Sequence, residues 1–163
     1  MEIRKVSATD DFNLISRIYA LSWKAAYIGI VPQQYLDELA EDYWTDKLQN
    51  SAYDSFVLIE EGKYIGTSSI CAARDENMGG WGEIISIYLL PEYIGKGYGR
   101  PLFAYVFSEL LNKGYKDIYL WVLEKNIRAR RFYEKNGFSP ADSQMFTIGN
   151  EEISEIRYIY HSS

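Results

Sequence analysis

The spacing of apolar residues over the first 50 positions predicts one strand followed by two helices. "EIRKVS" alternates between apolar and polar residues, as a short strand does. After Thr9, the apolar positions Phe12, Ile15 and Ile18 recur at helical spacing. A second helical pattern begins at Pro32, a residue favoured in the first turn of a helix. The apolar positions on one side of this second helix are Tyr35, Leu36, Leu39, Tyr43 and Leu48.

Three apolar runs in the middle of the chain predict neighbouring antiparallel strands. "SFVLIEE" and "KYIGTSSICAA" are rich in apolar and β-branched residues, and only the turn "EGK" separates them. "NMGGWG" then leads into a third run, "EIISIYLL". Connections this short join antiparallel strands, so the three runs are expected to lie side by side.

The second half of the chain predicts helix, strand, helix and a closing hairpin. "GRPLFAYVFSELLNKGY" reads as a helix with Pro101 in its first turn and Gly114 just past its end. "KDIYLWVL" reads as a buried strand, and "NIRARRFYEKNGF" as a helix capped by Asn126 and ended by Gly137. "SQMFTIGNEEISEIRYIY" closes the chain as a hairpin.

This order, β-α-α-β-β-β-α-β-α-β-β, describes one α+β domain over residues 1–163. The helix between "EIISIYLL" and "DIYLWVL" forms a right-handed crossover, so these two strands are expected to be parallel. The remaining strand pairs are expected to be antiparallel, which gives a mixed, mostly antiparallel sheet.

Composition limits the chemistry that the chain can carry. No apolar run approaches the roughly 18 residues of a membrane span, and the N-terminus lacks a signal-peptide pattern, so we expect a cytoplasmic protein without membrane contact. The single Cys71 excludes an internal disulfide or a cysteine cluster, and the single His161 lies near the C-terminus. No metal site is therefore expected.

The excess negative charge lies in the first half of the chain. Residues 1–80 contain 7 Lys and Arg against 13 Asp and Glu, whereas residues 81–163 contain 10 of each. An acidic chain repels phosphate backbones, so nucleic-acid binding is not expected. A cationic ligand held by the first half would be favoured.

The stretch "GKGYGR", residues 95–100, is the clearest candidate for a binding site. It lies between a predicted strand and the N-terminus of a predicted helix, where free N–H groups and the helix dipole together favour an anion. Alternate glycines also form a concave nest of N–H groups, and Lys96 and Arg100 add positive charge. A tight turn that needs glycine for its backbone angles is the structural alternative.

The glycine spacing separates the possible phosphate ligands. A nucleoside triphosphate loop needs Lys-Ser or Lys-Thr after its glycines, and neither pair occurs in the chain. A dinucleotide fingerprint needs G-x-G-x-x-G, which "GKGYG" does not match, although Glu124 lies near the end of the next strand. An NAD-dependent oxidoreductase stays open as an alternative.

Two motifs resemble those of the GCN5-related N-acetyltransferase (GNAT) superfamily, which transfers an acetyl group from acetyl-coenzyme A to an amine. "IGKGYG", from Ile94 to Gly99, matches the signature Q/R-x-x-G-x-G/A, except that Ile94 replaces Gln or Arg. "NIRARRFYEKNGF" matches N-x-x-A-x-x-F-Y-x-x-x-G-F. The resemblance covers the whole chain, and it implies the element order derived above.

The resemblance also implies which residues hold the cofactor. The end of the fourth strand would lie along the pantetheine, the glycine loop would surround the pyrophosphate, and one side chain would bond the pantetheine arm. The strand residues are Ile87, Tyr88 and Leu89, and the loop residues are Gly95, Lys96, Gly97, Tyr98, Gly99 and Arg100. The side chain that bonds the pantetheine arm is that of Asn126. A plain helix cap is the alternative role for Asn126.

Amine acetylation needs a base and an acid. An alkyl ammonium has a pKa near ~10.4, so it must lose a proton before it attacks, and a thiolate of pKa near ~8.5 must leave. The resemblance assigns Tyr133 as the acid that protonates the thiolate. It places Glu83 where histone-acetylating members carry a glutamate, so Glu83 is the candidate base, with a chain of water molecules as the alternative. Side chains alternate along a strand, which predicts that Glu83 and Ile87 share one face.

Other members of the superfamily use a different base, and this chain lacks it. Members that acetylate the N-terminus of a ribosomal protein carry a glutamate on the fifth strand, where this chain has Trp121. The resemblance further implies that the fourth and fifth strands splay apart. Backbone N–H groups near Leu89 would then polarise the thioester carbonyl.

The acceptor is expected to contact the first two helices and the final hairpin. The first of these regions is aromatic and acidic, which suits a small cationic amine or a peptide amine that attacks acetyl-CoA directly in a ternary complex. Packing is the alternative role for its aromatic residues. A catalytically silent acyl-CoA-binding module is the alternative function, and "SEIRYIY" is a candidate edge strand for a homodimer.

Overall fold

The computed structural model describes residues 1–162, which form seven strands and five α-helices. The strands are β1 (Glu2–Lys5), β2 (Asp54–Glu60), β3 (Lys63–Ala72), β4 (Gly82–Leu89), β5 (Asp117–Leu123), β6 (Ser139–Ile148) and β7 (Glu151–His161). The helices are α1 (Phe12–Ala26), α2 (Gln33–Glu38), α3 (Thr45–Gln49), α4 (Gly99–Asn112) and α5 (Ile127–Lys135). No helix within residues 1–162 combines the length and the apolar character needed to cross a membrane.

The strands form one mixed sheet in the order β1-β2-β3-β4-β5-β7-β6. The β4–β5 pair is parallel and the other five pairs are antiparallel, which confirms the predicted α+β architecture. A dinucleotide-binding fold needs several parallel strands, so the alternative of an NAD-dependent oxidoreductase was wrong. The prediction that "SEIRYIY" is an edge strand was also wrong, because β7 lies between β5 and β6.

The second predicted helix is divided into α2 and α3. Leu39 leaves the helical region with φ −70° and ψ 113°, which ends α2. The connecting segment is fixed to α1 by the buried Ser16, whose hydroxyl donates to the Glu41 carbonyl at 2.7 Å and accepts from the Trp44 N–H at 2.9 Å. The helical spacing of the apolar residues therefore does not correspond to one continuous helix.

The helices cover both faces of the sheet. Phe56 in β2 packs against Tyr105 of α4, whereas the next residue, Val57, packs against Ile15 and Tyr19 of α1. Because successive side chains of a strand point to opposite faces, α1 and α4 lie on opposite sides. The core on the α4 side includes Leu102, which is fully buried.

Both long helices of the second half end as the sequence predicts. The N–H groups of Gly137 and Phe138 donate to the carbonyls of Glu134 and Tyr133, and Gly137 adopts a φ of +90°. This pair of hydrogen bonds is the Schellman motif, which satisfies two backbone carbonyls at the end of α5. It fixes the helix that carries Tyr133 against the sheet.

Candidate active site

Strands β4 and β5 separate partway along their length and leave a cleft. Their ladder consists of three residue pairs and ends at Ile84 opposite Leu120, whereas β5 continues to pair with β7 as far as Leu123. The prediction that these strands splay is confirmed. The resulting cleft has a volume of about 1020 Å³ and is lined by Ile87, Tyr88 and Leu89, among others.

A β-bulge in β4 lies where this separation begins. Ser69 in β3 is opposite Ser86 and the next residue, Ile70, is opposite Ile84, so Ile85 is an extra residue in β4. A bulge bends the strand and increases its twist, and it also inverts the side-chain alternation. The prediction that Glu83 and Ile87 share a face was therefore wrong.

The bulge places Glu83 on the side of the sheet that α1 covers. Glu83 shares this face with Ser86 and Tyr88, which contact Tyr19 of α1. On the opposite face, Leu89 lies close to Leu102 of α4 around Gly66. This arrangement brings Glu83 and Tyr88 to the same side of the cleft.

The glycine loop offers a run of free backbone donors. Gly95 and Gly97 have φ values of +80° and +90°, and α4 begins at Gly99. The N–H groups of residues 95–100 donate no hydrogen bond to any group within residues 1–162. Gly95, Gly97, Gly99 and Arg100 line the cleft. Six consecutive donors at a helix N-terminus form a strong anion-binding arrangement.

The charged side chains around the loop differ from those predicted. Lys96 and Tyr98 do not line the cleft; the Lys96 Nζ lies 5.9 Å from the Tyr93 ring centroid, and the Tyr98 ring packs on Tyr93 at 5.5 Å. Arg128, which the sequence analysis did not select, does line the cleft, and its Nη2 lies 2.8 Å from where a Cβ of Gly95 would be. The sequence feature that could have indicated Arg128 is its position in the first turn of α5, shortly after the strand that borders the cleft.

Asn126 caps α5 and also faces the cleft. Its Oδ1 accepts the Ala129 N–H at 3.3 Å, as an N-cap does. The Asn126 Nδ2 donates to no acceptor among residues 1–162. The cap and a ligand contact therefore use different atoms of one side chain, and the two predicted roles are compatible.

Tyr133 presents a hydroxyl group to the cleft. Its ring is buried, with 8% of the residue exposed, and packs against Phe103, Phe132 and Tyr158. Within the described part of the chain, the hydroxyl has no hydrogen-bond partner. Burial raises the pKa of Tyr133 above its ordinary value, and the neighbouring Tyr88 raises it further. The phenol is thus held protonated and available to donate.

Glu83 is enclosed by partners. Arg74 donates to both carboxylate oxygens, from Nε at 3.1 Å to Oε1 and from Nη2 at 2.6 Å to Oε2. The Arg74 backbone N–H and the Tyr119 hydroxyl also donate to Oε1, at 3.1 and 2.9 Å. Only 1% of Glu83 is exposed. Burial and the hydrogen bond to Glu83 raise the pKa of Tyr119 to about 12.

Trp121 supports a second arginine at the border of the cleft. The guanidinium of Arg157 lies 4.7 Å from the Trp121 ring centroid and pairs with Asp75 and Asp142 at 2.7 and 2.6 Å. Trp121 therefore takes part in packing and cation-π contact at the position where some superfamily members carry a glutamate.

Glu155 is a cleft carboxylate that the sequence analysis missed. It lies on β7 opposite Leu123 and lines the cleft. Its one hydrogen bond within residues 1–162 is from the Gln144 Nε2 at 2.6 Å, and it forms no ion pair there. Burial raises the pKa of Glu155 above its ordinary value, although the bond from Gln144 lowers it.

Aromatic residues form the wall of the cleft beside α1. Trp23 and Tyr27 line the cleft, their rings pack edge to face at 4.9 Å, and the Trp23 Nε1 donates to the Tyr88 hydroxyl at 3.1 Å. None of the acidic residues in the region of α2 lines the cleft; Glu41, for example, pairs with Arg17 at 3.1 Å. Of the aromatic residues in the predicted acceptor region, Trp23 and Tyr27 thus line the cleft, whereas Tyr35, Tyr43, Trp44 and the acidic residues do not.

Comparisons with known proteins agree with this geometry. A family model described as acetyltransferase (GNAT) family matches residues 15–138. An uncharacterized N-acetyltransferase of Bacillus subtilis is 32% identical over 90% of this chain and 86% of its own length. A spermidine N(1)-acetyltransferase of Thermoplasma acidophilum is 28% identical over 97% of this chain and 98% of its own length. The crystal structure of a PaiA N-acetyltransferase from Thermoplasma acidophilum in complex with coenzyme A superposes with a TM-score of 0.79, at 25% identity over 98% of each chain.

Proposed function

Because the chain belongs to the acetyltransferase (GNAT) family and is therefore an acetyl-CoA-dependent acyltransferase, we propose that it acetylates a cationic primary amine. In this proposal the amine attacks the thioester directly while both substrates are bound. The observation that carries the proposal is the cleft itself, which brings together the free donors of the glycine loop, the Tyr133 hydroxyl and an aromatic wall.

The glycine loop suits the phosphate groups of coenzyme A. The N–H groups of residues 95–100 and the positive end of the α4 dipole meet negative charge without a side chain. Arg100 and Arg128 border the same part of the cleft. Since these donors belong to the backbone, the Ile94 side chain in place of Gln or Arg leaves them intact. In this proposal the Asn126 Nδ2, which donates to no acceptor among residues 1–162, donates to the pantetheine arm.

Tyr133 is proposed as the general acid. A buried phenol keeps its proton at neutral pH, so the proton is present when negative charge develops on the departing sulfur. The thiol, with a pKa near ~8.5, is the stronger acid, so this proton transfer is uphill and is coupled to cleavage of the carbon–sulfur bond. The Tyr133 hydroxyl lines the cleft and has no competing partner among residues 1–162.

The amine acceptor is proposed from charge and from the relatives. The Thermoplasma relative is a spermidine acetyltransferase, and the faces of Trp23 and Tyr27 supply cation-π contacts to an ammonium group. A small polyamine is therefore the first acceptor class, and a peptide amine is the second.

The role of Glu83 as the base stays a prediction. Its carboxylate accepts four hydrogen bonds and pairs with Arg74, so taking a proton would disrupt that pairing. Its surroundings favour a role in holding Arg74 and Tyr119 in place at the border of the cleft.

The test is acetyl-CoA turnover, followed as thiol release, against polyamines, aminoglycosides, amino acids and peptides. We expect turnover with a cationic amine and a fall in kcat of about 10²-fold or more in Tyr133→Phe, with unchanged affinity for coenzyme A. Tyr43→Phe is the matched control, because Tyr43 is exposed and does not line the cleft.

Tight binding of coenzyme A with no turnover on any amine would support the silent acyl-CoA-binding module instead. The cytoplasmic location and the homodimer stay predictions of the sequence analysis. Sedimentation of the purified chain tests the second of these.

A further inference from the structure

Three carboxylates line the cleft, those of Asp75, Glu83 and Glu155, and their surroundings differ. Asp75 is paired with Arg157 at 2.7 Å. Glu83 is fully buried and neutralised by Arg74. Glu155 is half-buried and accepts one hydrogen bond, from the uncharged Gln144, within residues 1–162. Of the three, Glu155 is the carboxylate that forms no ion pair within residues 1–162.

The position of Glu155 in β7 directs it towards the acceptor side. It shares its face of the strand with Ile153, which packs against Val31 and Leu36 from the α1–α2 region. Glu155 therefore lies on the same side of the sheet as the aromatic wall, and it lines the cleft together with Tyr27 and Phe146.

The groups around Glu155 leave its charge largely uncompensated. Tyr27 comes from the end of α1, Gln144 from β6, and Arg74 and Glu83 from the β3–β4 side. Arg74 is the cation in this set, and it is already paired with Glu83. Arg157, two residues along β7 on the same face, is paired with Asp75 and Asp142. A partly desolvated carboxylate without a close counter-ion is costly, and an ammonium group bound beside it would remove that cost.

We propose that Glu155 binds the ammonium group of the acceptor and takes its proton, which makes Glu155 the base of the reaction and selects cationic primary amines. This proposal rests on the proposed acetyl transfer to an amine. It assigns Glu83 and Arg74 to positioning rather than to proton transfer.

The proton balance is complete without a further reactant. The ammonium gives one proton to Glu155, and the freed nitrogen lone pair bonds to the acetyl carbon while the carbon–sulfur bond breaks. The thiolate takes the Tyr133 proton, and the second proton lost by the nitrogen restores Tyr133. Glu155 returns its proton to solvent, so the net products are the amide, the free thiol and one proton. The raised pKa of Glu155 reduces the mismatch with an ammonium of pKa near ~10.4.

The experiment compares Glu155→Gln with Glu152→Gln, an exposed position on the same strand that does not line the cleft. Both variants remove one negative charge from β7. Two acceptors are used at pH 7: spermidine, which is protonated, and trifluoroethylamine, which is neutral. Calorimetry of spermidine binding to the coenzyme A complex gives a readout that is independent of turnover.

We expect Glu155→Gln to lower kcat/KM for spermidine by about 10²–10³-fold and to weaken spermidine binding at least tenfold, with less than a tenfold loss for trifluoroethylamine. Glu152→Gln should match the wild type in all three measurements. Glu155→Asp keeps the carboxylate and should recover part of the lost activity.

Equal losses with both acceptors, or unchanged activity with spermidine, would overturn the assignment of Glu155. A wild-type protein that acetylates no amine of the panel would instead refute the proposed function itself. The two failures are therefore distinguishable.

Discussion

Replacing Gly97 by alanine tests the glycine loop without a steric clash inside the protein. Gly97 has a φ of +90°, and a Cβ built there meets no heavy atom within 4 Å. The expected penalty is therefore conformational, roughly 1–2 kcal/mol for an L-residue in this region. Since the N–H groups of the loop are not bonded to the rest of residues 1–162, the loop of Gly97→Ala can adopt an unstrained conformation when no coenzyme A is bound.

The penalty should then reappear when a ligand reorders the loop. A cost of about 1–2 kcal/mol corresponds to a roughly 5–30-fold increase in the Kd for coenzyme A. Calorimetric titration measures this Kd directly. The Tm of the variant should change little, because the strain is released in the free protein.

Gly62→Ala is the matched control. Gly62 has a φ of +76°, also meets no atom within 4 Å, and lies in the turn between β2 and β3, away from the cleft. This turn is held by the strand pair, so the strain should remain in the folded state and lower the Tm by about 2–8 °C. Its Kd for coenzyme A should equal that of the wild type. A Gly97→Ala variant whose Kd stays within about twofold of the wild type would refute the assignment of the loop.

Three further predictions concern the charged and phenolic groups of the cleft. Arg74→Met leaves the buried Glu83 without its cation and should reduce the free energy of unfolding in urea by about 2–3 kcal/mol, less than for a fully buried pair because Arg74 is half-exposed. The pKa of Glu155 is raised in the folded state, so the stability contributed by its protonated form is lost as the pH rises through that pKa. The Tm of Glu155→Gln should therefore increase relative to that of the wild type as the pH rises above the ordinary carboxyl pKa of ~4.3. Because burial raises the pKa of Tyr133, kcat should show no alkaline decrease below about pH 10.

Each of these has an outcome that contradicts it. Arg17→Met breaks an exposed ion pair with Glu41. An equal loss of unfolding free energy in Arg17→Met and Arg74→Met would show that the Arg74–Glu83 pair stabilises the protein no more than an exposed pair does. A Tm difference for Glu155→Gln that stays constant with pH would mean that the carboxylate is fully solvated. A decrease in kcat near pH 8–9 that disappears in Tyr133→Phe would mean that the phenol is not shielded.

The sequence was sufficient for features that local interactions determine. The element order follows from apolar spacing and from residues such as Pro101, Gly114 and Gly137, whose conformational preferences act within one turn of chain. The glycine loop is also local, because the first N–H groups of any helix lack an intrahelical partner and the loop leads into the N-terminus of α4. Gly97 and Asn126 therefore lie at the cleft as predicted, and Tyr133 does so as well.

Features that depend on contacts between distant segments were not predictable in this way. The break between α2 and α3 depends on Ser16, which lies 25 residues before the carbonyl that it holds. The bulge in β4 is a property of its register with β3, and a one-residue shift is enough to exchange the faces of Glu83 and Ile87. Periodicity along a single segment contains no information about either contact.

Glu155 shows the same limit at the level of chemistry. In the sequence it follows Glu151 and Glu152 in a charged hairpin, and these three acids have no local feature that ranks them. The fold separates them, since Glu151 and Glu152 are exposed near the turn, whereas the β5–β7 register brings Glu155 beside Leu123 at the border of the cleft. The proposed base is therefore distinguished from its neighbours by strand pairing and by the lack of an ion pair within residues 1–162, and both are properties of the folded chain.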